Sequence, residues 1–410
     1  MQYVIFMSVL IALMISAFIA LTYMQNHFRV KVALFKSAVQ YSNFGINYAN
    51  KSEISYLDKT EIELDEKTNV QISMRKMNWG LFDLIYSRST IVEETFQKSA
   101  LVGGFQQNRN ALYLQDINRP LVVVGNTEIV GRTALPKNGV KRGSIAGHSY
   151  IGSQLIYGTI VESKTDLPKI RNVDFMKNFS RDLMLKDSIE FIELIEDYKL
   201  FNSFNDPTKV HSSNNVVRLN FIQLTGNIIV QSDTLIIVEN TSKLKDIILV
   251  APNIEIANNF NGNFQAIASK NIVIGQNCDL RYPSALILTD NESNSSIKKN
   301  KVTKRIQINS NSIIRGIICH LSNDIQTTYG PRIILEENSK IIGEIYSEEN
   351  IELKGTVDGM VYTKGFVARQ FGSVYQNHIY NGKIIEENLP KQYVGLQFEN
   401  VPNSVAKWMY

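Results

Sequence analysis

Residues 3–24 carry no charge, and only Ser8, Ser16 and Thr22 interrupt an apolar run of 22 residues. About 20 helical residues cross the hydrocarbon core of a bilayer. The run therefore predicts a transmembrane helix, with Val4, Leu10, Met14, Phe18 and Leu21 among its membrane-anchoring side chains. A cleaved signal peptide would start with a basic region and have an apolar core of about 7–15 residues before a small-residue cleavage site. Here there is no basic start, and the run leads into Leu21-Thr22-Tyr23-Met24-Gln25, a poor cleavage context. An uncleaved anchor is expected.

Beyond the run, Phe28, Val32, Phe35, Val39 and Ile46 recur at mostly three- to four-residue spacing, and no Gly or Pro intervenes before Gly45. Arg29, Lys31 and Lys36 fall largely between them. This is the pattern of an amphipathic helix continuing out of the membrane. The stripe must pack on the protein's own outer domain or on a partner helix, so these five residues are the candidate partner contact.

Further on, the period shortens. Val70, Ile72 and Met74, and then Leu81, Leu84 and Tyr86, alternate in the manner of strands. From about residue 111, short Ile- and Val-rich runs are separated by Gly, Asn and Ser. A local motif repeats: an aliphatic residue, any residue, Gly, any residue, then a small or aliphatic one. It occurs around Gly131, Gly147 and Gly158, and again around Gly316, Gly343 and Gly359; Ile129 to Ile145 and Ile341 to Val357 are both offsets of 16 residues. Such coils bury their apolar face only by stacking on one another, with Gly relieving the bends. Residues 172–204 differ, with Phe175, Phe179, Leu183, Leu185, Ile189, Phe191, Ile192, Leu194, Ile195 and Tyr198 among charges. Ser188 followed by Glu190 and Glu193 reads as a helix start.

The predicted fold class is mainly β: an N-terminal transmembrane and amphipathic α-helix, a small strand-rich collar, then a right-handed β-helix (solenoid) with a helical insertion. The expected segments are residues 1–50 for the anchor and 51–110 for the collar. The first solenoid turns take 111–163, the helical insertion 164–212, the main solenoid 213–385 and a C-terminal tail 386–410.

The entry into the membrane and the segment Ala38-Val39-Gln40-Tyr41-Ser42-Asn43-Phe44-Gly45-Ile46-Asn47-Tyr48-Ala49 resemble PilX-like minor pilins and type II secretion pseudopilins. That resemblance implies a helix used for subunit assembly and an outer domain in the periplasm. The prepilin peptidase site, Gly before an aromatic residue with Glu five positions on, is missing. Residues 341–374 resemble bactofilins, the polymer-forming β-helix proteins. Residues 246–288, with Leu249-Val250-Ala251-Pro252 and Tyr282-Pro283-Ser284-Ala285-Leu286, are similar to anchored β-helix proteins of the Bacteroidetes type.

Composition narrows the chemistry. A formal net charge of +4 over 410 residues, with basic and acidic residues intermixed, does not describe a nucleic-acid groove. Cys278 and Cys319 show no metal-site spacing and read as buried thiols, able to pair only from neighbouring coils. His27, His148, His211, His320 and His378 are isolated, with no ligand spacing. Asp279, Asp290 and Asp324 are single turn carboxylates, whereas a lyase or glycosidase on a β-helix needs carboxylates that converge. Lys298, Lys299, Lys301, Lys304 and Arg305 surround a polar loop that reads as a solvated excursion.

The expectation is a non-enzymatic protein with no catalytic residues, metal or cofactor. It would be a structural or assembly component of an envelope machine such as a pilus or secretion system. Its partners would be the lipid bilayer and other subunits engaged through the N-terminal helix, as a homo- or hetero-oligomer, and not nucleic acid. The location would be the inner membrane, single-pass, with the outer domain in the periplasm. Counting Lys and Arg beside the span favours the opposite, cytoplasmic side. The alternatives are a bactofilin-like polymer at the membrane and a carbohydrate-binding or carbohydrate-active β-helix.

Overall fold

The uncharged run and the amphipathic stretch after it fold as one continuous helix, α1 (Gln2–Lys51), in a computed structural model. The structure describes residues 2–52, 54–63, 70–171, 173–179, 189–195, 197–289, 304–322 and 330–410. The chain is mainly β and divides into two compact units. One comprises Met1–Met77 and Leu84–Ala100 with Met409; the other comprises Asn78–Asp83 and Leu101–Trp408 with Tyr410.

In the first unit, α1 accompanies a sheet in which β1 (Lys59–Glu63), β2 (Val70–Trp79), β3 (Phe82–Ile91) and β4 (Glu94–Gly104) are neighbours in that order. β1 runs antiparallel to β2, with Thr60 opposite Met74 and Ile62 opposite Ile72. Two-residue connections, Gly80-Leu81 and Val92-Glu93, join the later strands and make them antiparallel neighbours. Val70, Ile72 and Met74 are buried while Gln71 is exposed, the alternation the sequence carries.

The second unit is built from parallel ladders that close on themselves. One row of buried side chains can be followed from strand to strand: Val230, Leu249, Ala266, Leu286, Ile318, Ile345, Val361 and Leu112. All eight are buried. β-Branched and aliphatic residues suit such a row because their side chains mesh on the pleated surface of the next strand. The order along the row departs from the order in the chain. Leu112 and Thr133 lie beyond Val361, and Ile160 lies beyond Thr133, so early strands pair with late ones.

The corners explain the glycines. Gly316, Gly343 and Gly359 are in register, with φ of 145°, 151° and 153°. A Cβ at Gly343 would lie 1.9 Å from the Gly316 carbonyl oxygen, and one at Gly359 equally close to that of Gly343. Gly158 and Gly131 repeat the arrangement, whereas Gly147 sits in a separate hairpin turn with open space around it.

Residues 164–212 differ from the predicted helical insertion. Among the described residues of this range, helix is limited to α2 (Val173–Lys177) with Phe179 just beyond. Ile189–Phe191, Lys199–Asn202 and Thr208–Ser213 are strands instead. Ile189 and Phe191 pair in parallel with Thr208 and Val210, so an available sheet edge overrides the helical spacing. Leu183, Leu185 and Ser188 lie outside the described residues, as do residues 290–303 and 323–329 with their lysines and aspartates. Within the C-terminal residues 386–410, Asn403–Met409 is a strand, and residues 389–398 are largely buried.

Candidate membrane anchor and assembly helix

From Gln2 to Ala33 every side chain of α1 is exposed. Its most apolar 18-residue window has a mean hydropathy of 2.8 and no protein cover. Val4, Leu10, Met14, Phe18 and Leu21 all lie here, Phe18 with 69% of its surface open. The 22 uncharged residues span about 33 Å at 1.5 Å per residue, against a hydrocarbon thickness of about 30 Å. Two hydroxyls within the span are satisfied by the helix itself. Ser8 Oγ donates to the Ile5 carbonyl and Thr22 Oγ1 to the Phe18 carbonyl, each at 2.8 Å. That is what a lipid environment requires, since no water is present to serve them.

Below the exposed segment the helix acquires a seat. Ala38, Ser42, Gly45, Ile46 and Ala49 are its buried residues, at the three- and four-residue spacing of a single helix face. All but Ile46 are small, and small residues let a helix approach a sheet closely. A Cβ at Gly45 would fall 2.1 Å from Ser87 Oγ and 2.8 Å from Ile72 Cγ2. Ser89 Oγ of β3 donates to the Ala38 carbonyl at 2.5 Å, and Lys98 Nζ of β4 donates to Asn43 Oδ1 at 2.7 Å. Phe35 meets Phe96 edge to face at 5.6 Å, a favoured aromatic geometry. Lys31 reaches Glu94 at 3.6 Å.

The predicted partner stripe is thereby divided. Phe28 and Val32 are exposed; Phe35 leans on Phe96; Val39 is half-buried; Ile46 is fully buried in the protein's own sheet. Ile46 is therefore not a partner contact, because the β2–β3 face claims it. Sequence reasoning missed Phe44 and Tyr48, which are exposed and stacked on one another at 6.2 Å. Their i, i+4 spacing was the available signal.

The remaining candidates stay apart. Cys278 and Cys319 are free, buried thiols, and burial pushes both above the usual thiol range. Asp279 pairs with Arg315. His148 packs on Phe371, His211 Nδ1 lies 3.1 Å from the Ile192 carbonyl oxygen, and His378 Nδ1 lies 2.6 Å from that of Gln376. Among the described residues no three His, Cys, Asp or Glu side chains gather as a metal site.

One buried acid stands out. Glu344 occupies a non-interior position between Ile317 and Met360 on adjacent strands, covered by residues 389–398. Its Oε2 accepts the Leu396 N–H at 3.0 Å. Tyr282 OH donates to the Val394 carbonyl at 2.8 Å, and Tyr393 OH to the Gly316 carbonyl at 3.0 Å. Burial pushes the Glu344 carboxyl up to about 8, opposed by the Leu396 N–H and by Arg109.

No protein-family model and no curated protein matches the chain. Among solved structures it is similar to the competence-associated pilin ComZ from Thermus thermophilus. The likeness has 10% identity and a TM-score of 0.22, covering 94% of this chain and 95% of that one.

Proposed function

We propose that this chain is a non-enzymatic, single-pass subunit of an envelope assembly, similar in role to a minor pilin or pseudopilin. One observation carries the reading. A single 50-residue helix is bare and apolar over its first turns, then seats small residues on its own sheet. A mere tether needs no such seat. A helix that continues from the bilayer into the fold links the protein's position in the membrane to its outer surface, as an assembling subunit requires. Phe28, Val32, Phe44 and Tyr48 remain available on α1 for another subunit's helix.

In this reading the outer domain lies in the periplasm and the parallel coils wind as a right-handed solenoid that acts as a structural body. Right-handed winding follows from the strong chirality preference of parallel crossover connections. The structural role needs neither catalytic residues nor a cofactor.

The test combines extraction and topology. Membranes holding the full chain are washed with alkaline carbonate, and reporters active only in the periplasm or only in the cytoplasm are fused after Tyr410. Retention in the membrane with periplasmic activity is expected. Release by carbonate ends the anchor reading, and cytoplasmic activity ends the envelope reading in favour of a membrane-bound polymer.

A further inference from the structure

Two short hairpins of the second unit meet side by side. Ser144–Ile145 pairs with His148–Ser149 around a turn at Ala146-Gly147, both with positive φ. Residues 367–376 pair around a turn at Phe371-Gly372, again both positive. The His148 ring lies parallel to that of Phe371, at 6.4 Å and 5°, and edge-on to Tyr380 at 6.3 Å. Both tips open to solvent: nothing lies within 4 Å of where a Cβ would stand at Gly147 or Gly372, nor at Gly139 in the turn nearby. Phe371, Val374 and Ile151 are 68%, 57% and 73% exposed.

The charge around these tips is one-sided. Residues 138–161 and 359–385 contain no Asp or Glu. Lys364, Arg369 and Lys383 are neutralised by Glu349, Glu352 and Glu128 from elsewhere in the unit. Lys141 and Arg142 are exposed and have no carboxylate partner among the described residues. Lys141 is in register with Val122, which is in register with His378, two strand spacings or about 10 Å across.

We propose that these turns, with Phe371 at one tip and Lys141 and Arg142 beside them, dock on an anionic phospholipid surface. A soluble polyanion would satisfy the two cations but leave Phe371 and Ile151 in water. An acidic bilayer interface takes both, the rings at the acyl boundary and the cations among the headgroups. This contact is separate from the α1 anchor and does not depend on it.

The test keeps the two apart. Full chain is held by α1 in phosphatidylcholine nanodiscs and mixed with sucrose-loaded vesicles of phosphatidylcholine alone or with phosphatidylglycerol added. Co-sedimentation with the acidic vesicles only is expected. The double variant Lys141→Glu, Arg142→Glu should weaken it about 25-fold or more, given roughly fivefold per cation near the surface, and Phe371→Ser should weaken it severalfold. All three positions are exposed, and unchanged circular dichroism checks that the variants fold. Sedimentation with neither vesicle type, or equally with both, overturns the proposal. So does heparin binding that Phe371→Ser leaves intact while vesicle binding is absent, because the partner is then a polyanion. A chain that fails to enter nanodiscs sinks the anchor reading, and free protein added to the same vesicles still tests this surface.

Discussion

The side-chain amide of Gln265 donates to the main-chain carbonyl of Trp79 at 2.9 Å, while its oxygen accepts the Leu81 N–H at 2.9 Å. Both backbone groups belong to the turn around Gly80, and Gln265 is buried. Trp79 in turn packs edge to face on Phe204 at 5.2 Å. One side chain thus closes two buried main-chain groups that the strand ladders leave over.

Replacing Gln265 with Leu should therefore cost about 2–6 kcal/mol, since two buried polar groups lose their partner at about 1–3 kcal/mol each. The urea midpoint of the detergent-solubilised chain, followed by tryptophan fluorescence, measures it. Gln265→Glu keeps the acceptor for Leu81 but loses the donor to Trp79, and should also be destabilising. A Leu variant as stable as the parent would mean that water replaces the amide.

At Gly45 two effects oppose one another. Alanine is better than glycine in a helix by about 1 kcal/mol, yet its Cβ would stand 2.1 Å from Ser87 Oγ. The Ile72 methyl at 2.8 Å cannot swing clear as a hydroxyl can. Overpacking at about 1–3 kcal/mol should win, so Gly45→Ala is expected to loosen the lower half of α1. Faster amide exchange over residues 38–49 is the readout, and adding Ser87→Gly should restore part of the protection. A stabilised Gly45→Ala variant would show that the helix is not held close.

Gly343 offers a sharper case. Its φ of 151° and the Gly316 carbonyl oxygen at 1.9 Å from a Cβ position leave alanine both strained and in collision with backbone. Gly343→Ala should cost about 3 kcal/mol or more and reduce the yield of folded chain. Gly147→Ala meets open space and pays only for its φ of 88°, about 1–2 kcal/mol. Comparing thermal midpoints of the two variants separates a stacked corner from an ordinary hairpin turn.

That pair also marks how far the sequence could be read. The aliphatic-x-Gly motif located Gly131, Gly158, Gly316, Gly343 and Gly359, because a stacked corner admits no side chain and imprints a residue type at a fixed place. The same motif matched Gly147, since a hairpin tip also selects glycine. Asn259, Asn277, Asn311 and Asn338 do comparable work at another turn with φ near +60°, where Asn277 Nδ2 donates to Asn259 Oδ1. The abundance of Asn was legible, but not its role, because Asn is also at home in any polar loop. The long apolar helix α1 was readable from a lack of charge alone. The seat under α1 was not, because whether Ile46 faces a partner or its own sheet depends on Ser87 and Ile72, which lie far along the chain. The pairing of Leu112 with Val361 was equally hidden, since no local pattern records which strand comes next in space.

Glu344 makes stability depend on pH in a direction opposite to that of most carboxylates. Burial holds its folded-state carboxyl near 8, against 4.5 as its ordinary value. Between those values the native protein keeps a proton that the unfolded chain has released, so the stabilising contribution is complete below about 4.5 and shrinks as pH rises. The loss amounts to at most about 1.4 kcal/mol per pH unit and levels off above about 8. Glu344→Gln retains an oxygen for the Leu396 N–H and has nothing to ionise. Urea midpoints measured from pH 5 to 8.5 should fall with pH more steeply in the parent than in the variant, and the variant should be the more stable at pH 8. The other titrating groups are common to both chains and drop out of the comparison. Parallel profiles would mean that Glu344 is already ionised beneath residues 389–398, its charge met by Arg109 and the Leu396 amide.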